Sequence, residues 1–155
     1  MTKLTPDYLL EQEKQTMLKS FTLSDAQKLG AHVINESGDN IETLTVTIYL
    51  GDRLVYARAG ENSTYENDFW AKRKANVVKH HEHSSMYVRQ NCEADEEGYY
   101  RLNGLDRLDY AIHGGAFPIF VEQVGFVGVL AVSGLPMEED HDITYRSIKA
   151  LKLTQ

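Results

Sequence analysis

Residues 43–50 constrain the fold more than any other stretch of the chain. Leu44, Val46, Ile48 and Leu50 alternate with Thr43, Thr45, Thr47 and Tyr49. A period of two in β-branched and aromatic residues specifies a strand with one buried face. Gly51-Asp52 then supplies a turn, and Leu54-Val55-Tyr56-Ala57 resumes extended sequence, so the segment predicts a β-hairpin. A second hairpin is predicted from Phe117 to Val121 and Val124 to Val132, joined near residues 123–125. Gly125 and Gly128, in or beside that strand, signal close backbone approach or a bulge. Hairpin strands are antiparallel, and helical segments between them must cover the sheet. The expectation is an α+β fold with an antiparallel sheet flanked by helices, not a doubly wound nucleotide fold.

Four helices are predicted around these strands. The first runs from Thr5, a cap, through Pro6 and Asp7 to about Leu18. Its apolar face (Leu9, Leu10, Met17, Leu18) is weak, so it should be peripheral, packed loosely or against a partner subunit. The second starts at Ser24, whose capping box would use Gln27, and ends at Gly38. The third covers Tyr65 to about His81, with acids first and bases last, as the helix dipole favours. The last runs from Glu138 to about Leu151. Residues 91–106 are acidic and polar and read as a surface excursion, and part of 84–92 would extend the third helix.

No repeat or linker divides the chain, so residues 1–155 read as one domain. The net charge is −7, from 23 acids and 16 bases. Such a surface repels phosphate backbones and argues against nucleic-acid binding. No stretch reaches the roughly 20 apolar residues of a membrane helix. With one cysteine, Cys92, no internal disulfide can form, and the chain reads as cytoplasmic.

The densest chemical signal is His113-Gly114-Gly115-Ala116-Phe117-Pro118-Ile119. Two glycines leave backbone N–H groups bare for a carboxylate, with His113 beside them as donor, base or ligand. The alternative is a tight turn before a strand. Trp70, Arg73 and Lys74 lie on adjacent turns of one helix. They suit an anionic planar ligand by stacking and charge, or they are a core tryptophan with solvated basic neighbours. His83-Ser84-Ser85 sets a base beside hydroxyls, without the elbow of a serine hydrolase. His80 and His83 would share a helix face, yet no cysteine pair or third carboxylate accompanies them, so no metal site is assigned. Asp140 suits a helix N-terminus and needs no special role. His141 is less expected there and would titrate near neutrality or reach across an interface.

Five segments occur in order: Asp68-Phe69-Trp70-Ala71-Lys72-Arg73-Lys74, His83-Ser84-Ser85, residues 113–119, Val127 to Pro136, and Glu139-Asp140-His141. Together they closely resemble the small cytoplasmic "haem-degrading domain" family, related to the haem-binding and glycolate-operon accessory proteins. The resemblance covers about Ser24 to Leu151 and includes the double-glycine turn at Gly114, Gly115 and Pro118. It implies a profilin-like fold of about five strands, the fifth expected between Arg101 and Ile112, and a homo-oligomer, either a dimer or a ring of dimers. It also admits haem as cofactor, with His113 or His83 as axial donor.

The functional expectation is an oligomeric ligand-binding module. Its pocket would lie among the 113–118 turn, residues 83–85 and the third helix. Gly114 and Gly115 would offer N–H groups, Arg73 a charge, Ser84 a hydroxyl, and Trp70 or Phe117 a stacking face, with Pro118 shaping the turn. The alternatives are an enzyme, degrading haem or acting on another small molecule with His113 and His83 as acid and base, and a protein-interaction scaffold.

Overall fold

A computed structural model describes residues 3–155; Met1 and Thr2, inside the expected 1–155 domain, lie outside the described residues. The elements are α1 (Pro6–Gln15), α2 (Leu23–Ser37), a short 3-10 helix (Gly38–Thr43), β1 (Thr45–Leu50), β2 (Arg53–Ala59), α3 (Tyr65–His81), α4 (Ser85–Asn91), α5 (Glu96–Asn103), β3 (Ala116–Val121), β4 (Gly125–Ser133) and α6 (Met137–Leu153). The strands form one antiparallel sheet in the order β2-β1-β4-β3.

The alternation of β1 sorts its side chains between two layers. Val46 and Ile48 enter a cluster with Leu29 and Val33 of α2, Phe117 and Ile119 of β3, Leu130 and Val132 of β4, and Ile148 and Leu151 of α6. On the opposite face Ala71, Ala75 and Val78 of α3 pack on Ala116, Val129 and Ala131. The sheet is thus sandwiched between α2/α6 and α3. Small residues let α3 lie close to β3 and β4. Gly128 has a similar cause, since a Cβ there would strike the Tyr49 backbone oxygen on β1.

Several expectations need correction. Among the described residues the sheet has four strands, not about five. The stretch expected to hold the further strand contains the end of α5 and a turn closed by the Asp109 N–H donating to the Asp106 carbonyl at 3.0 Å, while Tyr99 and Tyr100 of α5 are buried against Val77, Val88 and Ile112. Residues 84–92 do not extend α3. Glu82 adopts a left-handed conformation that ends α3, and Ser84 caps a new helix by accepting the Tyr87 N–H at 3.1 Å. The α2 capping box uses Thr22 and Asp25 instead of Ser24 and Gln27. The first helix stops at Gln15, because Leu18 leaves it to bridge Val121 at the edge of β3. Nor is α1 loose: Leu9, Gln12 and Glu13 are buried. No helix among the described residues is long and apolar enough to cross a membrane.

Candidate functional site

The double-glycine turn is packed tightly from both sides. At Gly114 a side chain would strike the Met137 carbonyl oxygen and the Met86 methyl group. At Gly115, with φ +131°, a Cβ would sit 2.7 Å from Lys74 Nζ. The Gly115 carbonyl accepts the Val132 N–H at 2.7 Å, and the Ser85 hydroxyl accepts the Ala116 N–H at 3.1 Å. The glycines therefore let the backbone press against the start of α6 and against a buried cation.

That cation belongs to a buried ion pair. Lys74 Nζ lies 3.1 Å from Asp140 Oδ2, with side-chain exposures of 4% and 1%, and also donates to the Val132 carbonyl at 3.2 Å. Asp140 accepts the Leu135 N–H on Oδ1 and the Gly134 N–H on Oδ2, closing the loop that leads into α6. Burial lowers the Lys74 pKa and raises that of Asp140, each shift partly offset by the partner's charge. Lys74 is therefore not a solvated neighbour of Trp70, and Asp140 does more than favour the helix dipole. The sequence carried a sign of this. Lys74 shares its helix face with Ala71, Ala75 and Val78, which places an amine among apolar residues.

Above the pair stand two aromatic rings, Trp70 and His113, with centroids 4.8 Å apart. The Arg73 guanidinium lies 4.6 Å from the Trp70 ring and donates through Nε to the Arg107 carbonyl at 2.9 Å. His113 Nε2 is 3.1 Å from Glu96 Oε1, and Arg89 lies 3.8 Å from that oxygen. Burial depresses the His113 pKa against the pull of Glu96. The resulting cleft, about 240 Å³, is lined by Asn67, Trp70, Lys74, His113, Ser133, Gly134, Leu135, Met137 and Asp140. Arg73 faces a separate hollow of about 330 Å³ with Tyr65, Phe69 and Lys72.

The remaining sequence candidates fall elsewhere. His83 Nδ1 is 2.8 Å from Glu13 Oε1, and the Ser84 N–H donates to the other Glu13 oxygen at 3.2 Å. His83 lines a third cleft, of about 390 Å³, with His81, Tyr87, Cys92 and Tyr99. His83 and His113 therefore do not share a cleft within one chain, and their expected pairing as acid and base is corrected. Ser84 is fully buried as a helix cap and has no free face for a ligand. Phe117 is also fully buried, its ring near His141 and Tyr145, so it stacks in the core and not on a ligand. Pro118 pairs with Val129 on an edge strand, where a missing N–H is tolerated. His141 is corrected as well. It is fully buried, its Nε2 lies 2.7 Å from Gln12 Oε1, and burial pushes its pKa down to about 4.

The unfilled bonding capacity of the Trp70–His113 cleft is mostly of one kind. Asp140 is occupied by three donors. Lys74 uses two of its three N–H bonds. Asn67 gives its oxygen to the Thr64 N–H, which leaves its NH2. What these groups still offer is donors, so the complementary ligand is acceptor-rich.

A family model described as "Haem degrading protein HbpS-like" matches residues 21–149. A UPF0303 protein of Lactiplantibacillus plantarum is 39% identical over 140 residues, spanning 90% of each chain. The crystal structure of Ybr137w protein superimposes with a TM-score of 0.88 at 29% identity, covering 99% of this chain and 90% of that one. A PduOC:heme complex superimposes with a TM-score of 0.67 at 16% identity, over 84% and 94% of the two chains. At that identity the likeness concerns the fold.

Proposed function

We propose that this chain, which belongs to the HbpS-like haem-degrading protein family, is a binding module for a small carboxylate-bearing ligand. The site is the cleft between α3 and the loop leading into α6. One observation carries the reading: a buried ammonium, its counter-ion also held by two backbone N–H groups, stands at the foot of an open cleft with spare N–H groups. A carboxylate accepts from several donors at once and suits that floor. Trp70 and His113 form the wall, whereas Gly114 and Gly115, expected to offer N–H groups to the ligand, lie outside the lining and instead let the turn pack against the start of α6 and against Lys74.

Haem is the second reading, favoured by the heme complex of a structural neighbour and by the imidazole of His113. The fit is partial. About 240 Å³ is below the roughly 300–1,000 Å³ of pockets that enclose larger ligands, and the floor is an ion pair instead of an apolar plane. A carboxylate arm fits the cleft; the macrocycle does not fit inside it. Self-association belongs to the same reading, supported by the outer edge of β2, which pairs with no other strand among the described residues.

The test uses two titrations of the purified protein, one with propionate and one with haemin, each beside His113→Ala. The expected result is saturable quenching of the Trp70 fluorescence by propionate. A Soret shift lost in His113→Ala without any propionate response would replace this reading with the haem one. No response to either ligand would remove both. Light scattering at a monomer mass would remove the oligomer.

A further inference from the structure

Lys74 is oddly equipped for a structural cation. Its ammonium is 3.1 Å from Asp140 and is fenced by Gly115, the one residue type that leaves room there. Yet both members of the pair line an open cleft. A lysine that only closed the 133–136 loop would need no such access. The cleft also pairs the amine with the group its chemistry would require, an acid within hydrogen-bond distance.

We propose that Lys74 is a carbonyl-reactive amine, and that the cleft takes a 2-oxo acid and holds it as an imine on Nζ. The inference rests on the carboxylate reading above and names the ligand class. The ligand carboxylate takes the NH2 donors left over on Asn67, which brings the adjacent ketone toward Nζ. The neutral amine adds to the carbonyl carbon: a C–N bond forms, the carbonyl π bond breaks, and the oxygen takes the proton that the nitrogen sheds. Asp140 then supplies the proton with which that hydroxyl leaves as water, giving the protonated imine beside the Asp140 carboxylate. Nothing is oxidised or reduced. At rest the pair is an ammonium beside a carboxylate; passing one proton from Nζ to Asp140 gives the neutral amine and the protonated acid that the addition and the dehydration require, and burial pushes the pair toward that transfer. The site also limits the ligand, since about 240 Å³ admits a short 2-oxo acid and excludes a long one.

The experiment treats the wild-type protein with pyruvate and sodium borohydride, which reduces an imine to a stable secondary amine, and maps the adducts by peptide mass spectrometry. Lys74 should carry the large majority of the label, ahead of every other lysine. That preference should vanish in urea and in Lys74→Arg. Because Lys74→Arg strains a packed site, Asp140→Asn serves as the second variant. It keeps an acceptor beside the amine and should slow labelling while Lys74 remains present. Adducts spread evenly over surface lysines, or absent from Lys74, overturn the proposal. Propanal labelling Lys74 as well as pyruvate does overturns the choice of a 2-oxo acid. Lactate separates the two readings, because it carries the carboxylate without the ketone. Lactate quenching of Trp70 without any pyruvate adduct overturns the imine and leaves the carboxylate site standing, whereas no quenching by either acid removes the carboxylate site itself.

Discussion

His141 has its Nε2 2.7 Å from Gln12 Oε1 and its Nδ1 without a partner among the described residues. A neutral ring is tolerated there and a charged one is not. Its folded pKa of about 4 lies below the ordinary 6.5, so the unfolded chain takes up the proton first as the pH falls. The stability that His141 contributes is whole above pH 6.5 and is lost as the pH falls toward 4. The loss amounts to about 3 kcal/mol. Urea unfolding at stepped pH should show the wild type losing more stability over that window than His141→Gln, which can still bond to Gln12. Equal slopes would mean that His141 does not titrate as its burial demands. The Lys74–Asp140 pair makes a second residue-scale claim. Asp140→Leu leaves a buried ammonium unpaired and should cost about 3–5 kcal/mol, whereas adding Lys74→Met should restore a large part of it. A double variant no better than the single one would show that the backbone bonds to Gly134 and Leu135 matter more than the pair.

At the scale of elements, α1 is held by polar bonds reaching across the chain. Gln12 meets His141, Glu13 meets His83 and the Ser84 N–H, and Gln15 meets the Tyr145 hydroxyl at 2.6 Å. Glu13→Ala leaves His83 and the Ser84 N–H, just ahead of α4, without their partner and should lower stability by about 1–3 kcal/mol, read as a lower midpoint in thermal unfolding. An unchanged midpoint would mean that α1 is dispensable to the fold. These attachments also explain what the sequence hid. The apolar face of α1 is weak because its docking is largely polar, and polar partners 70 to 130 positions away leave no local pattern. The strands were legible because alternation is local, as at Leu44 to Leu50. The boundary between α3 and α4 was not, since it depends on one left-handed residue, Glu82, that is neither glycine nor asparagine. α5 reads as a polar excursion because it sits in a stretch, 91–106, whose five acids outnumber the two tyrosines the helix buries.

For the whole molecule, the three layers bring α3, the double-glycine turn and the start of α6 to one place. That convergence makes the candidate site. The motif at 113–118 pointed to the right turn, and Trp70 and His113 were legible as its neighbours. Phe117 and Ser84 were misplaced because a motif does not say which way its side chains face, and Phe117 points into the core while Trp70 does not. The Lys74–Asp140 pair joins residues 66 positions apart, so only the fold reveals it. The central claim is that this cleft binds a small carboxylate, and the single tryptophan of the chain stands in its wall. The most direct measurement is a titration of 15N-labelled protein with propionate, followed by the one indole N–H cross-peak and the amides of Gly114 and Gly115. The account expects all three to shift together and saturate, while the amides around His83 stay still. Shifts confined to the His83 cleft, or none at saturating propionate, would contradict it.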